Sequence, residues 1–466
     1  MAEKAVGLSS GWTGAPEEFE VNKGTVGRRK IAFVGASYKF VHRVLRDMML
    51  VGGFNDCHLV VHDIDEVPLK IVSDFLERMA RQKETNIKVS KTLDRREALK
   101  GADAVVLSIT IGGKETDWRS FEVCAKYGVP VGIGDTLGPA AFARNLRTVP
   151  FVLQLVKEME ELCPEAVLLN FTNPMSVLTL AAAKHSSIPT FGLCHSADEL
   201  YRYFATVFGC KKSEVTMEVG GVNHQAFVTR LKIKGDDRTK DILKATLASN
   251  AELHDSLLGT KENVKLQQDI YKILGVWPST GDDHLAEFYQ YFYTPRRLEQ
   301  HPFHAIKKLA PGREPFGRTA VPKIIHDWAY GPELIGDLHL LTSEHAHELM
   351  WSIFSGEPFT RVLNVLNTGE YLKDISKDAC VEVLMTTTGK KRSGVPIRLP
   401  DAAHSLVQRW TTIHELTVKA AKDCDRDAAL QALFLDSHTL DMYDIEPMLE
   451  DFLTVMKPWM PEKWYK

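Results

Sequence analysis

The sequence predicts an α/β protein built on a doubly wound parallel sheet, followed by a region of mixed α and β structure. Three observations predict this fold. Short apolar runs alternate with helix-like segments, the runs lack the polar alternation of half-exposed strands, and small or polar residues follow several of them. Strands that are apolar throughout are typical of a parallel sheet covered on both faces by helices.

The composition argues against several classes of protein. The 466 residues carry a formal net charge of -4 and no basic stripe, which is unlike a dedicated nucleic-acid binder. The seven cysteines are irregularly spaced, unlike a disulfide framework. We see neither a signal peptide nor a run of the roughly 18 apolar residues that a membrane helix needs. We therefore expect a cytoplasmic protein with no membrane or nucleic-acid partner.

The first two predicted strands indicate a dinucleotide site. Residues 31–34 form an apolar run that ends in Gly35-Ala36-Ser37-Tyr38, and a helix-like segment follows. The next apolar run, residues 57–61, closes on Asp63. In a Rossmann-like unit, small residues let a pyrophosphate approach a helix N-terminus, and an acidic residue accepts from the ribose. We predict that Gly35, Ala36, Ser37, Tyr38 and Asp63 bind the dinucleotide.

Three later apolar runs extend the predicted sheet, at residues 104–109, 166–170 and 190–194. Helices are predicted near 67–82, 143–162 and 176–184. Asn173 follows the second of these strands, and Cys194 ends the third. Ligands bind outside the carboxyl ends of such strands, so we expect both residues at the ligand-binding edge.

A thiol and two imidazoles lie near the middle of the chain. Cys194 and His195 are adjacent, and His224 follows about thirty residues later. A soft or borderline divalent metal prefers these ligands, but the spacing matches no closed zinc site. The alternative is that the thiol and the two histidines are buried in the core and bind nothing. The position of Cys194 at the end of a predicted strand favours a metal site.

The second half of the chain mixes strands and helices. Alternating residues 214–233 predict antiparallel strands that bring Asn223 and His224 to the sheet edge. Helices are predicted over 237–258, 261–274, 341–354 and 402–435, and strands over 378–384 and 394–399. Asp282 and Asp283 open a polar and aromatic run over 281–291, where either could cap a helix. We expect an arm over 1–28, a nucleotide-binding domain over 29–195 and a mixed α+β domain over 196–466.

The chain resembles the family 4 glycoside hydrolases, which depend on NAD and a divalent metal. The matching blocks cover nearly all of residues 30–450. They are residues 30–37, Asp63-Ile64-Asp65, Asp135-Thr136-Leu137-Gly138-Pro139, residues 146–150 and 170–174, Gly192-Leu193-Cys194-His195-Ser196, Gly221-Val222-Asn223-His224, Asp283-His284 with Glu287, and residues 364–367, 381–383 and 415–417.

This resemblance implies the architecture of lactate and malate dehydrogenases, with NAD and Mn²⁺ as cofactors. Cys194 and His224 match the metal ligands. Asn173 matches a residue between the sugar and the nicotinamide, and His195 stands where some relatives carry a candidate general acid. The resemblance also implies that Asn173, His195 and Asn223 contact the substrate, and that the protein is a homo-oligomer, a dimer or a tetramer.

The implied mechanism differs from the paired-carboxylate hydrolysis of most glycosidases. NAD⁺ takes a hydride from C3 of the sugar, a base removes the C2 proton, and the aglycone leaves C1 by elimination. Water then adds and the hydride returns. In relatives the base comes from the region aligned with 281–291, so Asp282 and Asp283 are the candidates, with Tyr289 and Tyr291 as alternatives.

The sequence also bears on the substrate. Relatives with Cys-His-Ser at the metal site act on unphosphorylated α-galactosides or hexuronides. The basic run 389–394 and Arg296-Arg297 are expected to be solvated turns, but an inward-pointing cation would suit a carboxylate or a sulfonate at C6. We therefore predict a glycosidase for an α-galactoside, a hexuronide or a sulfoquinovoside.

Two other functions stay open at this stage. One is an NAD-dependent hydroxy-acid dehydrogenase, which would share the architecture of the first half. The other is a nucleotide-binding protein without activity, because the glycine turn is one residue shorter than in most relatives and has Ser37 where a glycine is expected. Retention of Asn173, Cys194 and His224 argues against the inactive protein.

Overall fold

The computed structural model describes residue 22 and residues 24–255, 260–262, 264–289, 321–336, 338–339, 341–342, 344–438 and 441–466. Only the backbone is described at 254–255, 260–262 and 283. Tyr291, Arg296-Arg297 and most of the predicted arm lie outside the described residues, as does the side chain of Asp283.

Within the described ranges, the strands form one 13-stranded sheet and a separate two-stranded hairpin of β10 and β11. The strands are β1 Lys30–Val34, β2 His58–His62, β3 Lys88–Thr92, β4 Ala104–Leu107, β5 Val167–Asn170, β6 Thr190–Gly192, β7 Val215–Val222, β8 Gln225–Ile233, β9 Asp236–Asp237, β10 Leu253–Asp255, β11 Thr260–Glu262, β12 Trp277–Pro278, β13 Pro358–Leu366, β14 Cys380–Thr388 and β15 Lys391–Gly394.

Helices connect and cover these strands. They are α1 Val41–Val51, α2 Glu66–Gln82, α3 Arg95–Leu99, α4 Gly113–Lys126, α5 Gly138–Leu162, α6 Met175–Lys184, α7 Ser196–Phe208, α8 Ile242–Ala248, α9 Lys265–Leu274, α10 Asp282–Glu287, α11 Lys323–Tyr330, α12 Ala346–Ser355, α13 Asp401–Asp423, α14 Arg426–Leu435 and α15 Ile445–Val455, with short 3-10 turns at Lys212–Glu214, Thr239–Asp241, Met442–Asp444, Lys457–Trp459 and Glu462–Tyr465. Among the described residues, no helix combines the length and apolar character needed to span a membrane.

The order of the strands confirms the predicted fold class. Strands β3, β2, β1, β4, β5 and β6 are neighbours in that order and run parallel. This is the doubly wound order, whose ligand crevice lies at the carboxyl ends beside β1 and β4. Beyond β6 the sheet continues through β13, β14, β7, β8 and β12 in antiparallel pairings. One sheet therefore joins the parallel half of the chain to the mixed half.

Some local predictions are wrong. The predicted helix over 237–258 is the short helix α8 followed by strand β10, and the predicted strand over 394–399 stops at Gly394, beyond which Ile397 makes one bridge to Leu372. Strand β3 was not predicted because its residues, Lys-Val-Ser-Lys-Thr, form no apolar run. As an exposed edge strand it needs none.

Candidate active site

The turn after β1 brings the predicted dinucleotide residues together. Gly35 has φ +102°, and a Cβ there would lie 2.1 Å from the carbonyl oxygen of Ser108, so glycine alone fits between β1 and β4. The Ala36 N–H donates to Oδ2 of Asp63 (2.8 Å), at the end of β2. The Ser37 carbonyl accepts from the Val41 N–H (3.1 Å), where α1 begins. Three features that a dinucleotide site requires therefore lie at one edge of the sheet: a glycine turn that a pyrophosphate could approach closely, a helix N-terminus and a carboxylate.

Asn173 lies at the same edge, after β5. Asn170, the last residue of β5, shapes the turn by accepting from the Thr172 N–H (2.9 Å) with its side-chain oxygen. The Asn173 side-chain amide then donates to Oδ2 of Asp135 (3.0 Å). Its own oxygen, Oδ1, is buried and has no hydrogen-bond partner among the residues that the structure describes. A ligand at this edge would find that acceptor available.

Cys194 and His224 meet one strand further along. Cys194 follows β6, and His224 lies in the tight turn between β7 and β8, where its φ of 66° places it in the left-handed region. Nε2 of His224 is 3.4 Å from Sγ of Cys194. The Ser196 hydroxyl lies 3.2 Å from the same sulfur. The sheet thus joins two groups that are far apart along the chain.

The chemistry of this pair fits a divalent metal. Burial and the neighbouring His284 hold the pKa of His224 well below its usual value, so the imidazole is neutral, as a metal ligand must be. Burial and the charge of Glu382 raise the pKa of the Cys194 thiol to about 12, so a bound cation would have to displace its proton. Sulfur and nitrogen ligands of a tetrahedral zinc ion lie about 3.6 Å apart, close to the observed separation.

Asp135 and His284 surround His224, and neither was assigned a role from the sequence. Ligand atoms of the three residues lie within 4.8 Å of one another. The His284 and His224 rings have centroids 4.1 Å apart. Glu287 accepts from the Gly134 N–H (2.8 Å) and so secures the loop that carries Asp135. Burial alone would raise the pKa of Asp135, but His284, Arg144 and the hydrogen bond from Asn173 hold it below its ordinary value.

A buried amide and carboxyl cluster supports the β7–β8 turn. The side-chain amides of Asn223 and Asn364 both donate to Oε2 of Glu382 (2.8 and 2.9 Å). The Asn223 N–H donates to the Ser176 hydroxyl (3.1 Å). Burial raises the pKa of Glu382, although the two amides oppose that shift. The cluster fixes the backbone before His224, and substrate contact by Asn223 stays a prediction.

The predicted catalytic residues have structural contacts of their own. His195 precedes helix α7, and its Nε2 lies 3.8 Å from Oε1 of Glu199. The Asp282 carboxylate accepts from the backbone N–H groups of Leu266 (3.1 Å) and Gln267 (3.2 Å), and so stabilises the start of α9. The acid and base roles of His195, Asp282 and Asp283 stay predictions.

The basic run 389–394 lies away from this site. Lys390 pairs with Glu165 (2.8 Å), two residues before β5 begins. The Arg392 guanidinium lies 5.1 Å from the Phe191 ring centroid. Lys390 is therefore at the amino edge of the parallel strands, whereas Asn173 and Cys194 follow their carboxyl ends. Lys390 and Lys391 are exposed, as expected of a solvated turn, whereas Arg392 is partly buried.

Two family profiles match the sequence. The profile described as "Family 4 glycosyl hydrolase" matches residues 30–207, and that described as "Family 4 glycosyl hydrolase C-terminal domain" matches residues 219–439. An alpha-galactosidase of Bacillus subtilis (strain 168) is 30% identical over 444 residues, which are 93% of this chain and 99% of that protein. An alpha-galacturonidase of Thermoanaerobacterium saccharolyticum is 28% identical over 396 residues, 80% of this chain and 83% of that protein.

The fold also matches solved structures. The 6-phospho-beta glucosidase of Thermotoga maritima, solved with manganese, NAD⁺ and glucose-6-phosphate, superimposes with a TM-score of 0.76 at 20% identity. The match covers 93% of this chain and 99% of that one. Since the two family profiles together span more than half of the chain, the protein belongs to the family 4 glycosyl hydrolases.

Proposed function

We propose that the protein is an NAD- and divalent-metal-dependent glycosidase that cleaves an α-glycoside of an unphosphorylated hexose, with α-galactosides as the first candidates. One observation carries the proposal: Nε2 of His224 lies 3.4 Å from Sγ of Cys194, at the sheet edge that also carries Asn173. Two ligands leave coordination positions open, and neighbouring sugar hydroxyls would fill them.

The residues present suit both cofactors. The Gly35 turn and Asp63 would hold NAD, and Cys194 with His224 would hold Mn²⁺ or another divalent metal. When bound, NAD supplies reversible hydride acceptance and the metal supplies polarisation of neighbouring sugar oxygens. Relatives of the same family contain both groups, as the Thermotoga maritima structure does.

The chain's own groups would orient the sugar and move protons. Asn173 would position the ring with its Oδ1, which no group in the described part of the chain engages. His195 would donate a proton to the leaving oxygen, and Asp282 or Asp283 would accept the proton from C2. Proton transfer by a positioned side chain contributes about 10²- to 10⁴-fold to a rate.

One structural feature supports an unphosphorylated sugar. Lys390, in the basic run that could have received an anion, is at the opposite edge of the sheet. The similarity to an alpha-galactosidase points the same way. Hexuronides and sulfoquinovosides, which carry one negative charge at C6, rank behind neutral galactosides.

A substrate panel tests the proposal. Aryl α-galactoside, α-glucoside, hexuronide and sulfoquinovoside are incubated with the protein, NAD⁺ and Mn²⁺, and both aglycone release and NADH absorbance are followed. We expect release from the galactoside that needs NAD⁺ in catalytic amounts and leaves no net NADH. NADH formed in proportion to product would identify a dehydrogenase instead, and release without NAD⁺ would exclude the proposed chemistry.

A further inference from the structure

One buried hydroxyl connects a carboxylate to the imidazole of His224. Oγ1 of Thr136 donates to Oδ1 of Asp135 at 2.8 Å and lies 2.9 Å from Nδ1 of His224. The Thr136 side chain is buried, with 7% of its surface exposed. The far side of the same ring, Nε2, faces Sγ of Cys194.

The number of protons in this chain of contacts fixes the tautomer of the ring. A threonine hydroxyl has one proton to donate, and an ionised carboxylate only accepts. Because the Thr136 proton goes to Asp135, the hydroxyl offers only lone pairs to His224. Nδ1 must then carry the ring proton, and Nε2 of the neutral ring keeps its lone pair.

We propose that Asp135 and Thr136 are positioning residues that hold His224 as its Nδ1–H tautomer, with the Nε2 lone pair directed to the metal position beside Cys194. The inference rests on the metal part of the proposed function and is independent of the sugar and of NAD. It adds no covalent step.

Asp135 is itself held in place, and this fixes the contacts that run from Asp135 through Thr136 to His224. Its other oxygen accepts from the Asn173 amide (3.0 Å), and Glu287 secures the preceding Gly134. One carboxylate thus sets the orientation of both Asn173, on the cofactor side, and His224, on the metal side. Without the Thr136 hydroxyl, the ring could carry its proton on Nε2. A protonated Nε2 has no lone pair with which to bind the metal.

Metal affinity measures this role directly. Full-length protein is titrated with Cd²⁺, and the thiolate-to-metal charge-transfer absorbance of the Cys194 complex is followed. Loss of the hydrogen-bond partner of a ligating histidine lowers metal affinity by about 10- to 100-fold. We expect this loss in Thr136→Val, which keeps the shape but lacks the hydroxyl. Thr136→Ser, which restores the hydroxyl, should bind Cd²⁺ within a few-fold of wild type.

Thr246→Val is the matched control. It removes another buried hydroxyl, on α8, which bonds to the Leu243 carbonyl (3.1 Å). We expect it to leave Cd²⁺ affinity unchanged. Equal Cd²⁺ affinity in Thr136→Val and wild type would overturn the positioning role alone. Absence of the charge-transfer band in wild type would overturn the proposed metal site, and this inference with it.

A second measurement needs no Thr136 variant. Nitrogen-15 NMR of histidine-labelled, metal-free protein reports which ring nitrogen carries the proton, and the His224 signals are those lost in His224→Gln. We expect a neutral ring protonated at Nδ1. A ring protonated at Nε2 would overturn the inference even if Thr136→Val failed to fold.

Discussion

Sγ of Cys194 and Nε2 of His224 lie 3.4 Å apart, although thirty residues separate them along the chain. The sheet creates this contact because β6 is joined through β13 and β14 to β7, whose turn into β8 carries His224. A thiol and a neutral imidazole are thereby presented beside Asn173. The proposed chemistry depends on this contact.

Replacing Cys194 tests whether its thiolate holds the metal. We expect Cys194→Ser to lose the Cd²⁺ charge-transfer band and to lower Mn²⁺-dependent turnover by more than about 100-fold, since a ligand matters more than its outer partner. NAD⁺ binding, measured by fluorescence titration, should persist because Gly35 and Asp63 are untouched. Cys210→Ser, at another partly exposed thiol, is the control. Undiminished activity of Cys194→Ser would remove this residue from the metal site.

Comparing variants of Asp63 and Asp65 distinguishes a role in cofactor binding from a role in helix capping. We expect Asp63→Ala to weaken NAD⁺ binding, because its carboxylate is proposed to accept from the ribose hydroxyls and also accepts from the Ala36 N–H. Asp65 caps α2 by accepting from the Val67 N–H (3.0 Å). Asp65→Ala should therefore lower the unfolding free energy by about 1 kcal/mol while keeping NAD⁺ affinity. Equal NAD⁺ affinity in Asp63→Ala and wild type would contradict the assignment.

The parallel half of the fold could be predicted because local patterns determine it. The strands β1, β4 and β5 are buried on both faces, so their residues are apolar except for Lys30 and Asn170 at strand ends, and they stand out from the amphipathic helices between them. The same alternation places Asn173 and Cys194 after parallel strands. The positions of these residues at the ligand edge therefore follow from the sequence.

Contacts between distant segments could not be predicted in this way. Thr136 reaches the site from a loop, His284 from helix α10 and Glu382 from strand β14. No local periodicity in the sequence indicates that these three segments come together. Their blocks resemble the family, but a resemblance does not say which nitrogen of His224 faces which partner. For Asp282, the sequence left capping and catalysis as alternatives, and the structure adds the two backbone donors on α9.

The variant Asp282→Asn tests whether Asp282 is the base that removes the C2 proton or only stabilises the start of α9. The Leu266 and Gln267 N–H groups bond to different oxygens of Asp282, and asparagine keeps only one of these acceptors, so the unfolding temperature should fall modestly. It cannot accept the C2 proton. If Asp282 is the base, exchange of the C2 proton with solvent falls by about 10²-fold or more. Exchange at the wild-type rate would reject this role, and Asp283→Asn measured beside it would test the other candidate.

Buried His414 gives the fold a specific pH dependence. Burial lowers its pKa to about 4, from about 6.5 for an ordinary histidine. The unfolded chain therefore binds the extra proton first as pH falls, and stability is lost between about pH 6.5 and 4, by about 3 kcal/mol at the lower end. Denaturant unfolding at several pH values should show a flatter dependence in His414→Leu. The exposed His339→Leu is the control, and equal slopes in both variants would contradict the prediction.

The fate of the C2 hydrogen tests the proposed chemistry most directly. An aryl α-galactoside deuterated at C2 is hydrolysed in ordinary water with NAD⁺ and Mn²⁺, and the released sugar is analysed by mass spectrometry and NMR. Removal of the C2 proton before the aglycone leaves predicts a sugar that has exchanged its deuterium for solvent hydrogen. A sugar that keeps the deuterium in full would mean direct hydrolysis at C1, and would contradict the elimination that the Cys194 and His224 site is proposed to support.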